Sequence, residues 1–305
     1  MKILEIRYGT EDYSIDVTSA CRLKCVLPNS NVIKVPSGDV ARADIFSDPL
    51  PHVKKFIYVI INGRKKELDE SYDIRIDLDN SCSVYCYQDR IGTLRFLHES
   101  LTMIHGSLSD EVPEQEMSLY YLTGKERILE IGGNVGRNSL IISSVLQCPW
   151  QQLVVLECDP VSAQMLRENR DANHFDFHVE VAALSQKKLV QQGWSTMPIE
   201  ERQPVPDGFV EVSTITWKHL QAKYDWIPFD TLVLDCEGAF FYILRDTPEI
   251  LDKINLILME NDYTDFSHKE FVDSVLLKSG FYRDSARAGG WGPCEQFFFE
   301  AWKRR

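Results

Sequence analysis

From residue 1 to about 87, short β-type runs alternate with turn clusters: ILEIRYG, YSIDVT, CRLKCVL, NVIKV, then FIYVIING and SVYCYQ. Runs this short, rich in β-branched and aromatic residues and bounded by breakers, predict strands. PSGD and SDPLP between them predict turns, since Pro fixes φ and Gly permits φ > 0. From about 89 the period changes. Leu94, Leu97, Leu101 and Ile104 recur at helical spacing, and Pro113 is expected to break that run. Beyond 127 come RILEI, LVVLE, FHVEVAAL, DTLVLDC and LILME, too short for most helices and too uniformly apolar for half-exposed strands. Such runs predict strands buried on both faces of a parallel sheet.

Helix signals lie between these runs. Asp159 stands where an N-cap belongs with Pro160 at the first helical position, and Thr247 with Pro248 repeats the arrangement. The pattern predicts a doubly wound α/β domain over residues 112–305. An all-β accessory domain over 1–88 and a helical connector over 89–111 precede it. Ligands of a doubly wound sheet bind at the carboxyl ends of its strands.

Composition narrows the partners. With 44% hydrophobic residues the 305-residue chain buries a real core. A formal charge of −13 leaves no basic field for phosphates, so nucleic acid is not an expected partner. The start, MKILEIRYGTEDY, lacks a signal-peptide core, and no apolar run reaches the roughly 18 residues of a membrane span. The expectation is a soluble, cytoplasmic protein. Among eight cysteines, Cys21 with Cys25 and Cys82 with Cys86 form two C-x-x-x-C pairs. A four-thiolate zinc site is disfavoured because residues four apart on a strand stand about 13 Å from each other.

The stretch RILEIGGNVGRNSLIISSVL places three glycines between a strand-like and a helix-like run. A dinucleotide fingerprint begun at Gly132 needs glycine at 134 and 137, which are Asn134 and Arg137. The turn reads instead as acid-x-Gly-x-Asn-x-Gly, made by Glu130, Gly132, Asn134 and Gly136, with Gly133 between them. The helix start beyond it suits a carboxylate as readily as a phosphate, and S-adenosylmethionine carries such a carboxylate. Glu157 ends the next strand, where an acid accepts hydrogen bonds from ribose hydroxyls.

These motifs resemble the FkbM-type methyltransferases, a family of S-adenosylmethionine-dependent enzymes, over roughly residues 112–300. EIGGNVG is similar to that family's glycine turn, LECDP with Asn169 and Asn173 to its second-strand segment, and AALS at 182–185, with Ala182 and Ala183, to the segment beside the adenine. FDTLVLDCEGAFFYIL resembles its Asp-x-Glu-Gly signature, but Phe240 stands where the family often has a second Glu. The resemblance implies a Rossmann-like methyltransferase domain that uses S-adenosyl-L-methionine, with a sugar hydroxyl on a glycan or nucleotide-linked sugar as acceptor.

Methyl transfer to a hydroxyl is an in-line displacement that needs alignment and a base. Asp235, Glu237 and Glu260 are the candidate catalytic acids, with Asp262 beside them, and Asp235 also faces the donor. Two arrangements fit. Crowded carboxylates raise one another's pKa toward a useful base, or Asp235, Glu260 and Asp262 hold Mg2+ through hard oxygen ligands. His268 is a further candidate base, and Trp194 and Trp291 are candidate rings for a sugar face. Two other functions stay open: a catalytically silent cofactor- or glycan-binding module, for which Phe240 is the support, and a nicotinamide oxidoreductase. The N-terminal domain is expected to hold the acceptor, pair with another copy as a homo-oligomer, or dock on a glycosyltransferase.

Overall fold

The computed structural model describes residues 4–26, 32–69, 72–78, 83–88, 90–200 and 202–305. The chain divides into two compact units, residues 1–96 and 97–305.

In the first unit, β1 (Leu4–Gly9), β2 (Ser14–Asp16), β4 (Phe56–Ile61) and β5 (Arg64–Leu68) form an antiparallel sheet in the order β2-β1-β4-β5. A second antiparallel sheet joins β3 (Val32–Val35), β6 (Tyr72–Asp77) and β7 (Ser83–Gln88). Ile6, Tyr8, Ile33, Val35, Ile57, Val59, Ile74 and Ile76, taken at alternate positions of these strands, make its core.

Two helices correct the all-strand expectation here: α1 (Thr18–Lys24) and α2 (Asp39–Phe46). CRLKCVL reads as a strand because Cys21, Leu23 and Cys25 alternate with charges, yet Cys21–Lys24 is helical. Asp16 starts the turn by accepting the Thr18 N–H at 2.8 Å. Val17, Cys21 and Cys25 then face the core at a spacing of four while Leu23 stays exposed. The strand-distance objection to zinc therefore does not apply to Cys21 and Cys25, which are one helical turn apart. Cys82 lies outside the described residues.

Before the second unit's sheet come α3 (Arg90–Ser100) and α4 (Val112–Tyr121). Pro113 was expected to end a helix; it lies in the first turn of α4, where a missing N–H costs nothing.

The remaining elements, in chain order, are β8 (Ile128–Ile131), α5 (Arg137–Val145), α6 (Pro149–Gln152), β9 (Leu153–Leu156), α7 (Pro160–Ala172), β10 (His178–Glu180) and β11 (Ala183–Leu184). Next come β12 (Leu189–Gln192), β13 (Ser195–Pro198), β14 (Val210–Val212), β15 (Thr214–Ile215), α8 (Trp217–Lys223), β16 (Thr231–Leu234) and α9 (Ala239–Asp246). β17 (Leu256–Glu260), α10 (Phe266–Lys278), β18 (Phe281–Arg287) and β19 (Phe299–Arg304) complete the chain.

Among the described residues the main sheet runs β10-β9-β8-β16-β17-β19-β18. Neighbours from β10 to β17 are parallel, and β19 pairs antiparallel with both β17 and β18. Strand order reverses at β8, so a crevice opens between β8 and β16 at their carboxyl ends. β8, β9 and β16 are buried at every position, as two covered faces require. The expected doubly wound α/β architecture is present.

Local signals held unevenly. Asp159 caps α7 by accepting the Ser162 N–H at 2.8 Å. Thr247 does not cap: Pro248–Leu251 is one 3-10 turn, and the Thr247 hydroxyl accepts from Gln186 at 3.1 Å. FHVEVAAL is two strands, because the chain leaves the sheet after Glu180 and Ala183–Leu184 pairs with β15. No helix among the described residues is long and apolar enough to cross a membrane.

Candidate functional site

The glycine turn after β8 is wedged between two strand ends. Gly132 and Gly133 both donate backbone N–H groups to the Leu156 carbonyl, at 2.9 and 3.1 Å. A Cβ on Gly132 would fall 1.5 Å from the Asp235 carbonyl oxygen, and one on Gly133 would fall 2.2 Å from a Val155 methyl. Both positions exclude side chains because protein, just after β16 and on β9, already occupies the space there. Asn134 takes a positive φ of 46°, and Gly136 precedes the first turn of α5.

Glu157, at the end of β9, holds this turn. Its Oε2 accepts the Asn134 N–H at 2.7 Å and its Oε1 accepts the Asp159 N–H at 2.8 Å. A carboxylate has about four lone-pair sites, so these bonds leave acceptor capacity for a ligand. Burial raises its pKa, and backbone hydrogen bonds from Asp159, Asn134 and Cys158 oppose that rise.

One cavity gathers most of the expected cofactor residues. Gly132 and Asn134 from the turn, Glu157, Ala182 and Ala183, and Asp235 with Glu237 all line it. Glu130, Gly133 and Gly136 do not. Glu130 is 3% exposed with one carboxylate oxygen buried and without a partner, and burial pushes its pKa up to about 8. Glu130 thus lies buried near the end of β8 and is not on the cavity wall.

The other walls come from the hairpin of β12 and β13, through residues that include Gln191, Trp194 and Thr196, and from α9 through Tyr242 and Ile243. Phe240 faces away into the core at 1% exposure. A carboxylate at that position would point away from the cavity.

Carboxylates crowd the neighbouring strand ends. Asp235 follows β16, Glu260 ends β17, and Asp262 is 6% exposed with a buried Oδ2 that has no partner. One oxygen each from Asp235, Glu260 and Asp262 lies within 4.8 Å of the others. The same holds for Glu111, Glu114 and Asp235, so Asp235 belongs to both groups.

Burial, then the charges of Glu260, Asp262, Glu111 and Glu237, holds Asp235 well above the usual carboxylate range. Burial followed by Glu260 and Glu237 pushes Asp262 up to about 8. Glu237 is raised by burial and by Glu260. Groups this close share protons, and their titration belongs to the cluster rather than to one residue.

Glu111 and Glu114 were not among the sequence candidates. Glu114 is 4% exposed, and burial with a Glu260 hydrogen bond holds its carboxyl well above the usual range. Glu111 accepts from Arg137 at 2.9 Å, which also pairs with Asp110 at 3.5 Å. Burial still raises Glu111. The signal available was DEVPEQEM, acids and a proline at a helix start. Nothing in that string says which strand ends the helix crosses.

His268 is corrected as a candidate base: its ring stacks flat on Phe241, 3.7 Å between centroids, and it does not line the cavity. Trp291 is half exposed and outside the cavity too.

No family model and no curated protein matches this chain. Solved structures do align. Aeropyrum pernix fibrillarin with natively bound S-adenosyl-L-methionine is 11% identical over 77% of this chain and 94% of its own, at a TM-score of 0.42. An O-methyltransferase from Bacillus cereus in complex with SAH is 13% identical over 72% and 92%, at 0.40. The ribosomal protein L11 methylase of Lactobacillus delbrueckii is 11% identical over 64% and 78%, at 0.37.

Proposed function

We propose that the second unit is an S-adenosylmethionine-dependent O-methyltransferase of the FkbM type, with a sugar hydroxyl as acceptor. The observation that carries this reading is one cavity floored by Gly132, Asn134, Glu157 and Asp235, which spans the ends of β8, β9 and β16. That floor offers the turn's backbone and the start of α5 to an amino-acid carboxylate. The spare lone pairs of Glu157 suit ribose hydroxyls. Ala182 and Ala183, small and beside β10, leave room for a flat ring. The sugar comes from the family resemblance of DCEG and its flanks alone.

When bound, the sulfonium donor supplies an activated methyl group. The protein's task is alignment and removal of the acceptor proton. Asp235 lies in the cavity and in both acid groups, so it is the residue placed to meet donor and acceptor. Its carboxylate is placed to receive a hydroxyl proton, and the raised pKa makes that carboxylate the stronger base.

A variant of this reading is favoured by Asp262, whose buried oxygen lacks a partner beside Asp235 and Glu260. Those three would hold Mg2+, which lowers the pKa of an oxygen bound to it. Magnesium should then raise the melting temperature of the wild type but not of Asp262→Asn. Equal effects on both would reject this variant.

The silent-module reading rests on Phe240, which faces the core rather than the cavity, and turnover of a sugar acceptor separates it from the enzyme reading. Titration calorimetry separates the remaining readings. S-adenosylhomocysteine should bind and NAD should not; the reverse result would select the nicotinamide oxidoreductase and reject this proposal.

A further inference from the structure

Trp194 is 66% exposed, although it lines the cavity. The other exposed tryptophans, Trp150, Trp226 and Trp291, stand outside that cavity. Trp194 sits at the tip of a hairpin that the main sheet does not contain. β12 and β13 pair antiparallel, with Gln192 opposite Ser195, and Gly193 and Trp194 form the two-residue turn. Gly193 takes a φ of 58°, as such turns require at their first position. β14 pairs on the other side of β12, so the hairpin stands on a three-stranded base.

The hairpin's footing shows which end of the cavity it covers. Cys158 Sγ donates to Gln191 Oε1 at 3.8 Å, which ties β12 to the residue after Glu157. β9 and β10 lie on one side of β8, and β16 and β17, where the acids gather, lie on the other. Trp194 therefore belongs to the donor side of the crevice. A sugar acceptor beside Asp235 and Glu260 would lie across β8 from it. What the donor presents on the β9–β10 side, past the ribose held by Glu157, is its purine.

We propose that Trp194 stacks on the purine of the bound donor and so determines selectivity for a nucleoside-bearing ligand. This rests on the methyltransferase reading above. A large aromatic face left in water at a cavity rim gains most from a flat, poorly hydrated partner. Its two-residue turn fixes where the ring is offered, and Ala182 and Ala183 line the same cavity with small side chains.

Calorimetry with S-adenosylhomocysteine and with adenosine, on wild type, Trp194→Ala and Trp194→Phe, tests the proposal. Base–aromatic stacking is worth about 1–3 kcal/mol by alanine substitution, so Trp194→Ala should bind both ligands about 5- to 150-fold more weakly. Trp194→Phe should recover most of that affinity. The ligand-free melting temperature of both variants should match wild type, because the ring is mostly in solvent. Unchanged S-adenosylhomocysteine affinity in Trp194→Ala would overturn the stacking role while leaving the methyltransferase reading intact. So would a loss seen for S-adenosylhomocysteine but not for adenosine, since the effect would then lie away from the purine. Failure of the wild type to bind S-adenosylhomocysteine would overturn both.

Discussion

Glu157 accepts the backbone N–H of Asn134 at 2.7 Å, so the acid expected to grip a ribose also fastens the glycine turn. The two duties cannot be separated by deleting the side chain. Glu157→Ala leaves the Asn134 N–H without its partner, which costs about 1–3 kcal/mol of stability if water does not replace it. Glu157→Gln keeps an acceptor for one N–H and should cost less. Both variants should lose S-adenosylhomocysteine affinity by tenfold or more in calorimetry. Thermal unfolding should show the larger stability loss only in the alanine variant.

Gly132 and Asp235 touch through backbone. Since a Cβ at 132 would lie 1.5 Å from the Asp235 carbonyl oxygen and φ there is 92°, Gly132→Ala has to move β8 or β16. Destabilisation of about 3 kcal/mol or more is expected, beyond the ordinary range for surface glycines. Chemical denaturation measures it. A loss below about 1 kcal/mol would mean that the turn is looser than described.

Asp235→Asn preserves shape and removes the proton acceptor. Turnover with a sugar acceptor should fall by at least about a hundredfold, the range a positioned base supplies, with S-adenosylhomocysteine affinity changed only a few-fold. Stability should rise or stay level, since one of several crowded acids becomes neutral. A fully active variant would remove Asp235 from the chemistry.

Glu130 makes stability depend on pH. Its folded pKa, about 8, stands above its ordinary value of 4.5. The folded protein therefore holds a proton that the unfolded chain releases across that window. Stability from this group is complete below about pH 4.5 and is lost as pH rises through 8, with a slope of up to about 1.4 kcal/mol per unit. Glu130→Gln should flatten the profile between pH 5 and 8 in urea titrations. An unchanged slope would show that the carboxyl is not held neutral.

Phe240→Glu places at 1% exposure the acid that the FkbM signature often carries. It should destabilise by several kcal/mol and add no activity, because the side chain points into the core formed with residues such as Leu244 and Met259. Gain of turnover in that variant would reverse the orientation assigned to α9.

Local pattern alone determined a good part of this protein. Four- and five-residue mostly apolar runs placed β8, β9, β16 and β17, because a strand covered on both faces is built mainly from apolar residues, with Glu130 the buried exception in β8. Asp159 and Pro160 marked α7, because a cap satisfies its own helix within three residues. The spacing of Gly132, Asn134 and Gly136 before α5 marked a tight turn, because backbone conformation there is set by the residues themselves.

Tertiary structure decided what depended on neighbours distant in the chain. CRLKCVL satisfies both a strand and a helix pattern; Cys21 and Cys25 packing together on one core resolved it, as Leu23 turned to solvent. Glu130 stood in the pattern of the turn but is buried off the cavity wall, since a local spacing does not say where the crevice opens around a strand end. Glu111 and Glu114 joined Asp235 only because α4 packs against α5 and β17. A sequence states which residues are acids; the distance between two of them more than a hundred positions apart is set by how helices and strands share one core.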